Sequence, residues 1–362
     1  MGYDPPAEKF QELLEKMKAG GPDTYKGLAA AYAKNPKDLP TVFKLAQKWA
    51  DRYDEAKSAE KYKEVIALDP EGKAGQTDYE KEKVSYTELA EFNVGQNALR
   101  SRPPDPAPLQ AFLKKYKDGQ IVKDAYTRLA GTYYGRTAPK DEAATFFEEF
   151  TGRYPDDPQA LSAYVRRIIQ DKDNLDKGLQ LAQKAVGLAK GPAKGQMLQS
   201  LAQIYLLKGD KAKAADTAEE ILKAAPAAQA PPARGDMSAM NAARIFVEAD
   251  KLDRALAVFG PEYLKKNLDK APALASYVNF WLAQGKNLDS VLEAAQRGVE
   301  LNAGSYTGWT SLSQVDMKLK KYDDALKAAE KALELAPATP PQIKDNIQKS
   351  IDQIKAAMQE KK

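Results

Sequence analysis

The chain has 362 residues and a net charge of +4, and it contains neither cysteine nor histidine. It therefore forms no disulfide, offers no thiolate to a metal and lacks the commonest general base in proteins. The charge is spread along the chain rather than clustered, which argues against nucleic-acid binding, and no apolar run approaches the roughly 20 residues that cross a bilayer. We expect no enzyme activity, cofactor, metal, nucleic-acid partner or membrane insertion.

The N-terminal segment, residues 1–20, is predicted to form one amphipathic helix. Its sequence GYDPPAEKFQELLEKMK (residues 2–18) places a glycine and a short turn before a helix with Phe10, Leu13 and Leu14 on one side. This arrangement resembles the closing segment of a thioredoxin-like domain, which implies that such a domain precedes residue 1. The same helix also suits a cap on the first hairpin, and both interpretations stay open.

Residues 21–122 are predicted to form helical hairpins. Residues 21–36 form one helix that ends at Asn35-Pro36, because a residue before proline is disfavoured in helical geometry. A complete hairpin follows at residues 39–70. Residues 84–119 form a divergent hairpin with a long first helix and a proline-rich turn.

A recurring spacing of large, small and aromatic residues is clearest in LAQIYLLKGDKAKAADTAEEILKAAP (residues 201–226). Leu201 and Tyr205 are four residues apart and so share one face of a helix. Ala202 and Ala214 are small at positions where two antiparallel helices must approach closely. The spacing predicts a helical hairpin.

The sequence also predicts where the two helices of this hairpin end. Gly209 tolerates the left-handed backbone that ends a helix, and Pro226 cannot extend the second helix. The same frame recurs at residues 45–70, 129–155 and 312–337.

This frame resembles the tetratricopeptide repeat, a helix–turn–helix unit of about 34 residues. The resemblance implies an all-α fold: a right-handed α-solenoid of tetratricopeptide-like hairpins with a C-terminal capping helix. Such an array buries its core between neighbouring hairpins and needs a polar cap at its end.

Two blocks of three hairpins are predicted, at residues 123–226 and 237–337. Within them, residues 160–189 and 273–302 align without gaps, which favours a duplication. In the second block, Gly260-Pro261 is expected to cut one helix short after Phe259.

Residues 338–362 are predicted to form the capping helix. Its apolar positions recur every three or four residues, which predicts one buried face. They are Ile343, Ile347, Ile351, Ile354 and Met358.

In the family, the first helix of each hairpin lines a concave groove, so the resemblance implies a set of groove residues rich in Arg, Gln and Thr. Side chains of this kind suit the donors and acceptors of an extended peptide. They do not reproduce the Lys, Asn and Arg set with which some members clamp a C-terminal carboxylate. The alternative interpretation is that these residues are ordinary solvated helix positions, which need no partner. The set is Phe43, Gln47, Arg128, Thr132, Arg166, Gln199, Gln203, Arg244, Asn279, Thr310 and Gln314.

The favoured function is a non-enzymatic scaffold that binds a protein or an extended peptide in this groove. One alternative is the accessory region of a thioredoxin-like oxidoreductase whose redox domain lies upstream, and another is an assembly module that self-associates. The first ten residues lack a signal-peptide pattern, so we expect any export signal to precede residue 1. The absence of cysteine favours a periplasmic or exported location over the cytoplasm.

Overall fold

The structure is a computed structural model that describes residues 22–134, 138–224 and 237–360, together with Gln11. Residues 1–155 and 156–362 form two compact units. The boundary falls inside the predicted block 123–226, so the predicted blocks stay predictions. The N-terminal segment 2–18, with its thioredoxin-like resemblance, lies outside the described residues apart from Gln11. Residues 225–236 also lie outside them.

The first unit consists of antiparallel helices and one short β-hairpin. Its helices are Tyr25–Lys34 (α1), Leu39–Ala50 (α2), Glu55–Leu68 (α3), Tyr86–Leu99 (α4), Ala107–Lys115 (α5), Gln120–Tyr133 (α6) and Lys140–Arg153 (α7), and its strands are Gln76–Tyr79 (β1) and Glu82–Ser85 (β2).

The second unit is helical throughout its described residues. Its helices are Pro158–Asp171 (α8), Leu175–Leu188 (α9), Pro192–Leu207 (α10), Lys211–Ala224 (α11), Met237–Glu248 (α12), Leu252–Phe259 (α13), Pro261–Lys265 (α14), Ala271–Gln284 (α15), Leu288–Leu301 (α16), Tyr306–Lys318 (α17), Tyr322–Leu335 (α18) and Gln342–Glu360 (α19). The prediction of an all-α repeat fold is confirmed. Among the described helices, none is both long and apolar enough to cross a membrane.

The hairpin α10–α11 shows why the spacing of small residues recurs. Ala202 and Ala214 are fully buried where the two helices pack together. Gly209 has φ +80° in the turn, as predicted, and the Asp210 carboxylate accepts a hydrogen bond from the Lys213 backbone N–H at 3.1 Å. This N-cap satisfies one of the free donors at the start of α11.

The β-hairpin between α3 and α4 was not predicted. Its strands pair antiparallel, with Gln76 opposite Ser85 and Tyr79 opposite Glu82. The Tyr79 hydroxyl donates to Asp124 at 2.5 Å, and Glu82 accepts from the Gln120 backbone N–H at 2.8 Å. The long first helix of the hairpin predicted at residues 84–119 therefore begins only at Tyr86. These strands carry almost no buried apolar residue, so the sequence offered no alternating pattern to reveal them.

The C-terminal helix α19 packs on α18 as the sequence predicted. Ile347, Ile351 and Ile354 are buried in a cluster with the alanines of α18, and Ile343 and Met358 are partly buried beside them. The small alanine side chains let the larger isoleucines approach, which is how the predicted cap closes this end of the second unit.

Ser58 in α3 occupies the small-residue position that Ala214 occupies in α11. It is fully buried, and its hydroxyl has no hydrogen-bond partner among the described residues. A buried hydroxyl without a partner costs about 1–3 kcal/mol. We expect Ser58→Ala to raise the free energy of unfolding by about 1 kcal/mol, measured by urea denaturation followed by circular dichroism.

Ser313 supplies the matched control. It is also buried, but its hydroxyl donates to the Ala325 carbonyl at 2.8 Å. Ser313→Ala should therefore lower the free energy of unfolding by about 1 kcal/mol. Equal effects of the two substitutions would contradict this account.

Candidate functional site

First helices of neighbouring hairpins lie side by side in the second unit, in one group of three and one group of two. Helix α8 packs beside α10, α10 beside α12, and α15 beside α17. We call the solvent-facing side of these five helices the first-helix face. It is the part of the second unit where the sequence places its candidate partner-binding residues.

The predicted residues of this face differ in exposure. Those with exposed side chains are Arg166, Arg244, Asn279 and Gln314, and those that are half-buried are Gln199, Gln203 and Thr310. The Thr310 hydroxyl already donates to the Tyr306 carbonyl at 2.9 Å, and Arg244 donates to the Asn241 side chain at 3.3 Å. The exposed residues of the set have the most hydrogen-bonding capacity left for a partner.

In the first unit, Phe43 corrects the prediction. Its side chain is only 1% exposed, and its ring packs edge-on against Tyr62 at 5.6 Å and Tyr86 at 5.1 Å. Tyr62 belongs to α3 and Tyr86 to α4, so Phe43 lies where α2 meets both helices. It is a core residue and does not face a partner.

The other predicted residues of the first unit remain accessible. Arg128 and Gln47 are exposed, and Gln47 lines a cavity of about 450 Å³ beside Lys44 and Asp23. Thr132 is half-buried, and its hydroxyl donates to the Leu129 carbonyl at 2.7 Å. An ion pair between Lys44 and Asp23 lowers the pKa of the Asp23 carboxyl.

Asn279 lines a cavity of about 250 Å³ among α15, α16 and α17, which we call the Asn279 pocket. Its deeper wall consists of buried apolar side chains, namely Leu274, Val278, Ala294 and Ala295. Its rim consists of small or neutral polar residues, namely Ala271, Ala275, Asn279, Gly298, Asn302, Ser305, Thr307, Gly308 and Ser311.

The chemistry of the Asn279 pocket is neutral. No Lys, Arg, Asp or Glu lines it, and the amide of Asn279 has no hydrogen bond to a described residue. The pocket can therefore take a small apolar side chain while Asn279 offers a donor and an acceptor to a peptide backbone.

Sequence reasoning identified Asn279 but missed the residues that make room beside it. Gly298 and Gly308 leave space between α16 and α17, and a Cβ on Gly308 would lie 3.3 Å from Val299. Two glycines inside helices are the signal that could have indicated a close approach or an opening here.

Gln314 lines a second cavity, of about 520 Å³, between α17 and the capping helix α19. Met317 and Ile354 supply apolar surface there, and Lys318 and Gln353 supply polar surface. Both cavities thus contain one predicted residue, and both lie within the second unit.

Asp316 is a buried titratable residue that lies between Gln314 and Met317 in the sequence, two residues that line this second cavity. It stands at the position that Tyr205 holds in the earlier repeat, and it is 4% exposed. Burial raises the pKa of the Asp316 carboxyl, Asp324 raises it further, and Lys321 acts in the opposite direction. Asp316 does not line the cavity, so we assign it no part in binding.

Comparison with known families agrees with the hairpins. Two family models described as tetratricopeptide repeat match residues 195–227 and 306–339. These segments coincide with the hairpins α10–α11 and α17–α18. The chain contains tetratricopeptide repeats. Among the described residues, no group of three or more acidic side chains is arranged to hold a metal ion.

Several solved tetratricopeptide structures are similar to the chain. One is a tetratricopeptide repeat protein from Parabacteroides merdae, with 8% identity, a TM-score of 0.42, and coverage of 87% of this chain and 98% of that one. Another is YrrB, described as having an unusual peptide-binding site, with 16% identity, a TM-score of 0.31, and coverage of 56% and 97%. A third is the P58(IPK) repeat domain, with 13% identity, a TM-score of 0.26, and coverage of 98% and 99%. No curated protein matches the chain. The assignment of tetratricopeptide repeats rests on the two matched segments, residues 195–227 and 306–339.

Proposed function

We propose that this tetratricopeptide repeat protein is a non-enzymatic scaffold that binds an extended peptide segment of a protein partner on the first-helix face. The observation that carries the proposal is the Asn279 pocket, which joins an apolar wall to a neutral polar rim. An extended peptide presents alternate side chains to such a surface and leaves its backbone amides free to hydrogen-bond.

The proposed occupant of the pocket is a small or medium apolar side chain. A charged side chain would lose its hydration there without gaining a partner charge, because no ionisable residue lines the pocket. The Asn279 amide would hydrogen-bond the peptide backbone beside that side chain. The exposed Arg166 and Arg244 would contact peptide carbonyls farther along the face.

The test begins with random peptides displayed on phage and selected on the immobilised full chain. The affinities of the selected peptides are then measured by fluorescence anisotropy. Ala275→Trp places an indole at the rim of the pocket, since Ala275 is exposed and lines it. We expect this variant to weaken binding by about tenfold or more, which corresponds to about 1.4 kcal/mol. Asn279→Ala should weaken binding by a smaller factor, because it removes one hydrogen-bonding group.

Ala283→Trp is the matched control. Ala283 is an exposed alanine on the same helix, but it does not line the pocket. Its replacement should leave the affinity unchanged. Equal losses in Ala275→Trp and Ala283→Trp, or undiminished binding by Ala275→Trp, would place the peptide elsewhere. Failure to enrich any peptide would also count against the proposal.

A further inference from the structure

A further cavity, separate from those lined by Gln47, Asn279 and Gln314, lies within the first unit. It has a volume of about 500 Å³ and is lined by α5, α6 and α7 together with Lys117. We call it the Tyr133 cavity. Helix α6 contributes Tyr126, Leu129 and Tyr133 to it, whereas Arg128 and Thr132, the predicted groove residues of that helix, do not line it. The Tyr133 cavity is therefore distinct from the predicted groove positions of α6.

One wall of the Tyr133 cavity is aromatic. The rings of Tyr133 and Phe146 stack with their centroids 4.3 Å apart. Tyr126 stacks on Phe150 at 5.2 Å with the two ring planes nearly parallel. Because these rings are packed from behind, the wall is held in place before any ligand arrives.

Carboxylates stand beside the aromatic wall. Glu149 accepts a hydrogen bond from the Tyr126 hydroxyl at 2.5 Å, and Glu142 accepts one from the Tyr133 hydroxyl at 3.2 Å. Burial raises the pKa of both phenols, and the neighbouring glutamates raise it further, so the hydroxyls remain donors. Each glutamate is thus held next to a ring by that ring's own hydroxyl.

The negative charge of this wall is not neutralised by an ion pair within the described residues. Asp141, Glu142 and Glu149 all line the cavity and are exposed, and none forms an ion pair with a described lysine or arginine. On the opposite wall, Lys117 donates to the Leu113 carbonyl at 3.1 Å, and Lys114 is exposed to solvent. The α7 side of the cavity therefore offers exposed carboxylates beside aromatic rings that are themselves no more than 8% exposed.

We infer that the Tyr133 cavity binds an arginine side chain of a protein partner, at a site separate from the Asn279 pocket. A guanidinium is planar, so it can donate paired hydrogen bonds to Glu142 or Glu149 while it contacts the small part of the aromatic wall that stays exposed. Its methylene stem would lie on the exposed apolar surface of Phe146 and Leu113. The charge complementarity comes from the three carboxylates, and the preference for arginine over lysine comes from the paired hydrogen bonds that a planar guanidinium donates.

The experiment titrates the isotope-labelled full chain with the capped peptide acetyl-Gly-Arg-Gly-amide and follows the amide signals by NMR. The same peptide with citrulline in place of arginine keeps the shape but removes the charge. We expect the arginine peptide to shift signals of α5, α6 and α7 and to bind at least about fivefold more tightly than the citrulline peptide. Equal binding of the two peptides, or shifts confined to other helices, would overturn the inference.

Two variants test the assignment of the cavity. Glu142→Gln with Glu149→Gln removes two charges but keeps acceptors for the tyrosine hydroxyls, and it should abolish the preference for arginine. Glu220→Gln with Glu330→Gln makes the same charge change at two exposed residues outside the cavity and should preserve that preference. Thr145→Trp keeps every carboxylate but fills the cavity, since Thr145 lines it. If Thr145→Trp binds the arginine peptide as the parent chain does, the cavity is not the site. The Asn279 variants leave this result unaffected, so the two proposals fail or stand separately.

Discussion

Replacing Trp281 by alanine is expected to lower the free energy of unfolding by about 4 kcal/mol. The indole is fully buried in α15, and its Nε1–H donates to the Phe259 carbonyl at 2.6 Å. Phe259 is the last residue of α13, where Gly260 and Pro261 end the helix early, as the sequence predicted. The substitution would therefore leave both a large cavity and an unpaired carbonyl at a helix end. Urea denaturation followed by circular dichroism measures the loss.

Two further substitutions separate packing from hydrogen bonding. Trp281→Phe keeps an aromatic ring but removes the donor, and it should cost about 1–2 kcal/mol. Trp309→Ala is the matched control: Trp309 is only half-buried, and its Nε1–H donates to the Ala303 carbonyl at an exposed site. It should cost less than Trp281→Ala. A loss below about 1 kcal/mol in Trp281→Ala would contradict the role assigned to this side chain.

Asp171→Ala is expected to lower the free energy of unfolding by about 3 kcal/mol. Arg167 is buried, with 3% of its side chain exposed, and its Nε donates to the Asp171 carboxylate at 2.6 Å. Removing the carboxylate takes an acceptor at 2.6 Å away from a buried positive charge. This costs far more than breaking an ion pair at the surface. The same denaturation measurement detects it.

The neighbouring Arg166 gives a control within the same helix. Its side chain is exposed and is not part of this ion pair, so Arg166→Ala should change the free energy of unfolding by less than about 0.5 kcal/mol. Adding Arg167→Met to Asp171→Ala removes the buried charge and should recover part of the loss. A double variant that is no more stable than Asp171→Ala would contradict the electrostatic explanation.

The ends and contact positions of the helices could be predicted because local geometry fixes them. Gly209 adopts a positive φ at the end of α10, and α13 ends before Gly260, each for a reason visible in a few neighbouring residues. Ala202 and Ala214 are buried where the two helices of a hairpin pack together. They are small because a larger side chain there would hold the helices apart.

The environment of particular side chains was harder to predict. Phe43 occupies a position expected to face a groove, yet α3 and α4 cover it with Tyr62 and Tyr86. The β-hairpin before α4 is held by contacts of Tyr79 and Glu82 with residues far along the chain, and its own sequence is mostly polar. Neither outcome follows from the periodicity of the segment itself.

The sequence by itself determined that this protein is a series of helical hairpins with small residues at their contacts and an isoleucine-rich cap. Helix periodicity and helix-terminating residues act over a few positions, so they can be recognised without knowing which helices pack together. Only the tertiary structure decided that Asn279 lies in a neutral pocket, and that Tyr133, Glu142 and Glu149 share another cavity with Lys114 and Lys117. These groupings depend on how successive helices pack together. A side chain's neighbours across a helix interface are set by the packing of whole helices rather than by the residues beside it in the chain.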